Sequence, residues 1–146
     1  FTADQAPAGS REAGLKGLEA LLGRIGLART SYDFSDGSGM SSYNRVSPRA
    51  GVALLHWGAR QPWGAEWRAS FPIGGVDGTL RRSRAKGATA HLKTGSLRDV
   101  AGVAGYVLGA SGRRHVLVAL INHPNANAAR PALEALVDWA AKDTTP

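Results

Sequence analysis

The stretch that decides the fold is His91-Leu92-Lys93-Thr94-Gly95-Ser96-Leu97, which has the character of a β-strand. We predict a strand over Ala90–Leu97 and two more over Val100–Ala110 and His115–Asn122. The last two are joined by Ser111-Gly112-Arg113-Arg114, which is typical of a hairpin turn. Both faces of the third strand are apolar, so we expect it to be covered on both sides.

Three helices are predicted around these strands. The first begins after Ser10, whose hydroxyl can cap it, and ends before Gly26. The second opens at Ser47-Pro48 and ends at Gly58, and the last begins at Pro131. Their packing faces are predicted, in chain order, as Leu15, Leu18, Leu22 and Ile25, then Val52, Leu55 and His56, then Leu133, Leu136, Val137 and Ala140.

The order of elements is helices, a three-stranded meander and a closing helix. This order predicts an α+β fold with an antiparallel sheet flanked by helices. Three strands alone would leave an edge open and a face partly bare, so we expect further strands from elsewhere. Residues Gln61 to Gly78 are predicted to be an irregular packed segment. Trp63 and Trp67 lie in this segment, and Trp57 lies just before it. These three tryptophans form either a local core or a stacking platform for a ligand.

Bulk properties limit the classes of function. A chain of 146 residues can build one core, and no apolar run approaches the ~18 residues of a membrane span. The net charge of +7 suits anionic partners such as nucleic acid, cell-wall polymer or lipid headgroups. The basic residues are scattered apart from Arg81 to Lys86, and no nucleic-acid motif is present, so no nucleic-acid partner is expected.

The side chains also argue against several kinds of site. The chain has no cysteine, which excludes disulfides and thiolate metal sites. Its four histidines form no close pair, so we expect no metal site. Phe1 is not a start methionine, and we therefore expect a processed or cleaved product.

Lys93-Thr94-Gly95 places a cation, a hydroxyl and a bare backbone in series. On a strand, Lys93 and Gly95 point to one face and Thr94 to the other. Gly95 lets a ligand approach the backbone, and the strand edge near Ser96 can offer N–H groups to an extended peptide or an oxyanion. This chemistry suits a substrate that ends in a carboxylate.

Two other matches by letter are weaker. Ser83-Arg84-Ala85-Lys86 has the Ser-x-x-Lys spacing, but a nucleophile with a lysine base needs the serine at a helix start in a buried site. These residues lie in an arginine-rich stretch before a strand, so they are not expected to be a catalytic pair. Ser42-Tyr43-Asn44 has the Ser-x-Asn spacing and follows a glycine-rich turn, so we interpret it as a turn feature.

Several segments resemble one family in the same order along the chain. They are Asp36-Gly37-Ser38-Gly39-Met40-Ser41, Asn44-Arg45-Val46-Ser47-Pro48, Pro72-Ile73-Gly74-Gly75-Val76-Asp77-Gly78-Thr79-Leu80, Lys93-Thr94-Gly95-Ser96-Leu97, Ala104-Gly105-Tyr106-Val107 and Asn122. Together they are similar to the C-terminal part of the D-alanyl-D-alanine carboxypeptidase/endopeptidase family, the low-molecular-mass class C penicillin-binding proteins. Lys-Thr-Gly is one of three motifs of such enzymes, and the other two carry the nucleophile and its proton relay.

The resemblance implies that residues 1–146 are an incomplete C-terminal segment of a penicillin-recognising, transpeptidase-like serine acyl-transferase domain. It implies that Lys93 and Thr94 bind the terminal carboxylate of a substrate lying along Gly95 and Ser96. The Ser96 N–H would form half of the oxyanion hole. The nucleophilic serine would come from an N-terminal segment of the same protein, so the chain by itself is expected to be inactive.

The function implied is hydrolysis of terminal D-Ala-D-Ala bonds, or of peptidoglycan cross-links, through an acyl-enzyme. No cofactor is expected, β-lactams would be inhibitors, and the location would be the periplasm or another extracytoplasmic part of the cell envelope. Two alternatives stay open. One is a non-catalytic module that binds cell wall or another polyanion; the other is a serine β-lactamase, against which Asp77–Leu80 argues.

Overall fold

The computed structural model describes residues 9–81 and 90–145. The chain divides into two compact units, Phe1–Leu54 and Leu55–Pro146. The helices are α1 (Arg11–Arg24), α2 (Pro48–Ala59), α3 (Gly64–Ala69) and α4 (Arg130–Ala141), with short 3₁₀ turns at Arg29–Ser31, Gly78–Leu80 and Ala126–Ala129. The strands are β1 (Tyr32–Asp33), β2 (Arg45–Val46), β3 (Ala90–Leu97), β4 (Val100–Leu108) and β5 (Arg114–Asn122).

Helix α1 begins and ends where the sequence predicts. The Ser10 hydroxyl accepts a hydrogen bond from the Ala13 N–H at 3.2 Å and caps the first turn. Gly26 has φ 84° and ends the helix, and the next N–H, of Leu27, donates to the Leu22 carbonyl at 3.0 Å. Leu22 is the buried residue of this helix.

The loop between β1 and β2 is held by its own polar side chains. The Asn44 amide oxygen accepts from the Ser35 N–H at 2.8 Å, and its amide nitrogen donates to the Asp36 carbonyl at 3.2 Å. The Asp36 carboxylate accepts from the Ser38 hydroxyl and N–H, which lowers the pKa of Asp36. These bonds confirm Ser42-Tyr43-Asn44 as a turn feature and show that the polar side chains of Asp36–Ser41 hold their own loop. The short strands themselves were not predicted.

Helix α2 starts at the predicted Pro48 and ends at Ala59, one residue beyond the prediction. The Ser47 hydroxyl accepts from the Ala50 N–H at 3.2 Å and caps it. Leu55 is buried as expected, but His56 is exposed. The prediction that His56 lies on the packing face was wrong, because the buried stripe runs through Leu55 and Gly58 instead.

The tryptophan-rich segment forms a local core. Neighbouring rings along Trp57, Trp63, Trp67, Phe71 and Tyr106 lie 5.5–5.9 Å apart in edge-to-face contacts. The Tyr106 hydroxyl accepts from the Trp67 indole N–H at 2.8 Å, which leaves its own hydrogen for a carbonyl of α2. The segment was predicted to be irregular, and α3 inside it corrects that prediction.

The meander is antiparallel with the order β3-β4-β5, as predicted. Strand β4 ends at Leu108, two residues before the predicted end, and Gly112 turns the chain with φ 81°. Gly105 lies opposite Leu92 in the register, and a Cβ at Gly105 would overlap the carbonyl oxygen of His91. Only glycine therefore lets β4 approach β3 this closely.

Helix α4 packs on one face of this sheet through its predicted apolar stripe. The resulting core consists of Leu80, Ala90, Leu92, Val103, Val107, Leu117, Val137 and Ala140, with Leu133 and Leu136 packed against it. The opposite face is covered by the aromatic cluster at Tyr106, but Leu120 near the end of β5 is 38% exposed. Within the described residues β5 is thus not fully covered on both sides, and the further strands remain a prediction. No described helix has the length and apolarity needed to cross a membrane.

The C-terminal residues are tied to the β4–β5 turn. The Ser111 N–H donates to the Asp143 carbonyl at 2.8 Å, and the Asp143 carboxylate pairs with Arg113 at 2.9 Å and lies 3.0 Å from His115 Nε2. Hydrogen bonds from Thr145, and next from Arg113, hold the pKa of Asp143 well below its usual range. A carboxylate with a lowered pKa stabilises the folded state at neutral pH and loses that effect as pH falls through the folded-state pKa.

We therefore expect Asp143→Asn to loosen this contact. Amide hydrogen exchange at Ser111 should be faster in the variant than in wild type at neutral pH. Because the pKa is low, the difference should persist below the ordinary aspartate value of 3.8 and shrink only in stronger acid. Asp138→Asn, in the last turn of α4, is the matched control. Equal exchange rates in wild type and Asp143→Asn at neutral pH would contradict this account.

Candidate active site

The outer edge of β3 is paired for only part of its length. The Leu92 N–H donates to the Pro72 carbonyl and the Gly74 N–H to the Ala90 carbonyl, both at 2.9 Å. Backbone groups of a strand point to its two edges in alternation, so Thr94 and Ser96 face the same outer edge. In the described part of the chain no strand pairs with this edge beyond the bridge at Ile73. The Ser96 N–H therefore points to an open edge.

The side chains of β3 alternate as the sequence predicts. Thr94 and Ser96 line a cavity on the α4 face, whereas Lys93 is exposed and does not line it. The Lys93 ammonium donates to the carbonyl of Thr94, which belongs to the outer edge. The cation and the hydroxyl thus approach the same strand edge from opposite faces of the sheet.

Gly95 leaves the backbone of β3 bare at this point. A Cβ built at Gly95 would have no heavy atom of the described residues within 4 Å, so the fold does not require glycine here. The glycine does leave room for a ligand beside the strand.

A threonine from another motif reaches the site. The hydroxyl oxygens of Thr79 and Thr94 lie 2.8 Å apart. Thr79 is held in place because the Asp77 carboxylate accepts from the Ile73 N–H at 2.6 Å and Leu80 is buried in the core. The Asp77–Leu80 loop therefore has a structural role, and it brings one hydroxyl to the cavity.

Sequence reasoning missed the first residue of α4. An Arg130 Nη2 hydrogen bond reaches the Ser96 hydroxyl oxygen, and a second, at 3.2 Å, reaches the amide oxygen of Asn127. The Asn127 amide nitrogen in turn lies 3.4 Å from the carbonyls of Leu97 and Arg98 in the β3–β4 turn. The only signal in the sequence is that Arg130 immediately precedes Pro131, where a helix predicted to pack on the sheet begins.

The cavity between β3 and α4 has a volume of about 380 Å³. Polar groups at its mouth belong to Thr79, Thr94, Ser96, Arg130 and Glu134, and its floor is formed by Leu80, Leu92, Val103, Leu133 and Val137. The mouth offers hydroxyl, guanidinium and backbone donors, which suit a carboxylate or an oxyanion.

The described residues supply a binding surface and no activated nucleophile. No serine or threonine hydroxyl among residues 9–81 and 90–145 is recorded in a hydrogen bond with a lysine ammonium. Ser83 and Lys86, with the rest of the basic run after Arg81, lie outside the described residues. Asn44 uses its amide within its own loop.

We expect Gly95→Ala to fold like the wild type, because the added methyl meets open space. If a peptide ligand lies along this edge, the added methyl should weaken binding of a carboxylate-terminated peptide on the order of 10- to 100-fold, because overpacking a fitted contact costs about 1–3 kcal/mol. Gly23→Ala in α1, where a Cβ also meets open space, is the matched control. An unchanged dissociation constant of the peptide in Gly95→Ala, measured by titration, would show that no ligand passes there.

Comparisons with known proteins agree with the family resemblance of the sequence motifs. Residues 2–143 match the D-Ala-D-Ala carboxypeptidase 3 (S13) family. The chain is 36% identical to a D-alanyl-D-alanine carboxypeptidase of Actinomadura sp. strain R39 over 75% of its length, and 30% identical to D-alanyl-D-alanine carboxypeptidase DacB of Haemophilus influenzae over 77%. It spans only 22% and 25% of the length of these two relatives.

Solved structures show the same fold. The crystal structure of penicillin binding protein 4 (dacB) from Haemophilus influenzae matches with a TM-score of 0.74 at 27% identity, over 88% of this chain and 32% of that one. A predatory endopeptidase from Bdellovibrio bacteriovorus, in complex with an immunity protein, matches with a TM-score of 0.63 at 15% identity, over 90% of this chain and 35% of that one; this match supports the fold alone. The predicted α+β architecture and family resemblance are confirmed, and the chain belongs to the D-Ala-D-Ala carboxypeptidase 3 (S13) family.

Proposed function

We propose that this chain supplies the carboxylate-binding and oxyanion-binding wall of the active site of a serine-type D-Ala-D-Ala peptidase. The observation that carries the proposal is the open edge of β3. Lys93, Thr94 and Ser96 present an ammonium, a hydroxyl and a backbone N–H to that edge, and Gly95 leaves the strand bare between them.

The substrate is a peptide of peptidoglycan that ends in D-Ala-D-Ala or continues into a cross-link. It lies along β3 as an extended strand, because an open strand edge pairs with extended backbone. Its terminal carboxylate is bound by Lys93 and Thr94. The Ser96 N–H donates to the carbonyl oxygen of the scissile bond and stabilises the negative charge that develops there during attack.

The chemistry needs a nucleophile from the N-terminal part of the complete protein. A serine there attacks the scissile carbonyl, its proton passes to the departing amine, and an acyl-enzyme remains that water hydrolyses. Penicillin acylates the same serine. The location proposed is the periplasm or another extracytoplasmic part of the envelope, where peptidoglycan is found.

If the binding wall and the nucleophile belong to different parts of the protein, only the complete protein should be active. The complete protein should release D-alanine from a peptide ending in D-Ala-D-Ala, and the purified chain of residues 1–146 should release none, because the proposed nucleophile belongs to the N-terminal segment. Released D-alanine is the readout. A complete protein that binds peptidoglycan without turnover would favour the binding-module alternative, and turnover of penicillin without acyl-enzyme accumulation would favour a β-lactamase.

We expect Lys93→Ala to lower acylation of the complete protein by benzylpenicillin on the order of 10- to 150-fold, which corresponds to the loss of one charged hydrogen bond. Lys93→Arg should rescue only part of the rate, because a planar guanidinium does not reproduce the point charge and the rotatable donors of a compact ammonium.

Lys142→Ala, a surface lysine at the end of α4, is the control for lost charge alone. The second-order rate constant of acylation is the measurement. An unchanged rate in Lys93→Ala would remove Lys93 from the site.

A further inference from the structure

The guanidinium of Arg130 is a cation whose recorded partners are all neutral. It donates to the Ser96 hydroxyl and, from Nη2 at 3.2 Å and Nε at 3.4 Å, to the Asn127 amide oxygen. No carboxylate of the described residues forms an ion pair with it. Arginine stays protonated in proteins, and no described carboxylate lies within ion-pair distance of this one.

The position of this cation is fixed by the turn beside it. Asn127 lies within hydrogen-bond distance of the Leu97 and Arg98 carbonyls and so links the guanidinium to the end of β3. Nη1 has no recorded partner among the described residues, which leaves two N–H donors unused. A charged group that is held in place and keeps free donors is suited to bind a carboxylate.

The neighbouring hydroxyls at the cavity mouth also keep hydrogens that they can donate. Because Arg130 donates to the Ser96 oxygen, the hydrogen of Ser96 remains available for another acceptor. Thr79 and Thr94 share one hydrogen bond, so one of their two hydroxyl hydrogens is also left over. An oxyanion at the cavity mouth can therefore receive donors from both threonine and serine as well as from the guanidinium.

We propose that Arg130 is a specificity-determining residue that, with the Ser96 hydroxyl, binds the free carboxylate of the substrate residue on the leaving-group side of the scissile bond. The proposal rests on the function proposed above. Lys93 approaches the same strand edge from the other face of the sheet, so the carboxylate lies between two cations. Glu134 lies at the same cavity mouth one turn further along α4, so an anion is repelled from that side of the mouth.

The test uses the complete protein and two peptides that differ only at the C-terminus, one ending in D-Ala-D-Ala with a free carboxylate and one with its amide. Arg130→Ala should lower kcat/KM about 10-fold for the acid and leave the amide nearly unchanged, because only the acid loses a charged partner. The kcat/KM of Arg130→Lys for the acid should lie between those of wild type and Arg130→Ala. An ammonium keeps the positive charge but cannot donate to Ser96 and Asn127 at the same time. Arg114→Ala, an exposed arginine at the start of β5, should change neither value.

Equal losses for acid and amide in Arg130→Ala, or no loss for either, would overturn the role of Arg130. If the wild-type protein turns over neither peptide, the proposed function fails, and a binding titration decides the role of Arg130 separately. In the wild type, N-acetyl-D-alanine should then shift the NMR signals of Ser96 N–H and Arg130 Nε, and its amide should shift neither. In Arg130→Ala, N-acetyl-D-alanine should leave the Ser96 signal unchanged. No shift in the wild type would overturn the inference.

Discussion

The packing of α4 and the Gly78–Leu80 turn onto one face of β3 is the constraint on which the site depends. Leu80 and Leu92 lie in the same buried cluster as the apolar stripe of α4. Each is close in sequence to a polar group of the site: Thr79 precedes Leu80, and Thr94 follows Leu92 by two residues. Arg130 stands at the start of the helix that closes the cluster. Burial of apolar surface thus fixes three polar groups that make few strong bonds of their own.

The two-residue period of a strand divides the site between two environments. Thr94 and Ser96 share a face with the core and are held by contacts from Thr79 and Arg130. Lys93 lies on the other face and is exposed, and no described side chain is recorded in a bond with it. A substrate at the strand edge contacts both the hydroxyls of Thr94 and Ser96 and the ammonium of Lys93. The hydroxyls on one face supply directional hydrogen bonds, and the exposed ammonium on the other supplies positive charge.

Short polar side chains stabilise the loops that carry the family signatures. The Asp77 carboxylate accepts a hydrogen bond from the Ile73 N–H, and the Asn44 amide oxygen accepts one from the Ser35 N–H. These bonds give the backbone of irregular segments the partners that a helix or sheet would otherwise provide. The Ser-x-Asn letters at Asn44 therefore mark a turn. The same letters in a buried cleft would be read as a proton relay, so the context of the motif decides its meaning.

The sequence by itself determined the local features. The strands from Ala90 to Asn122, the cap at Ser10 and the stripe of α4 follow from period and turn chemistry, which act over a few residues. Tertiary structure alone decided that Arg130 meets Ser96 and that Thr79 meets Thr94. These pairs are 34 and 15 residues apart, and no period or turn rule relates residues at such separations. Their meeting is set by how the core packs, and packing depends on the whole chain at once.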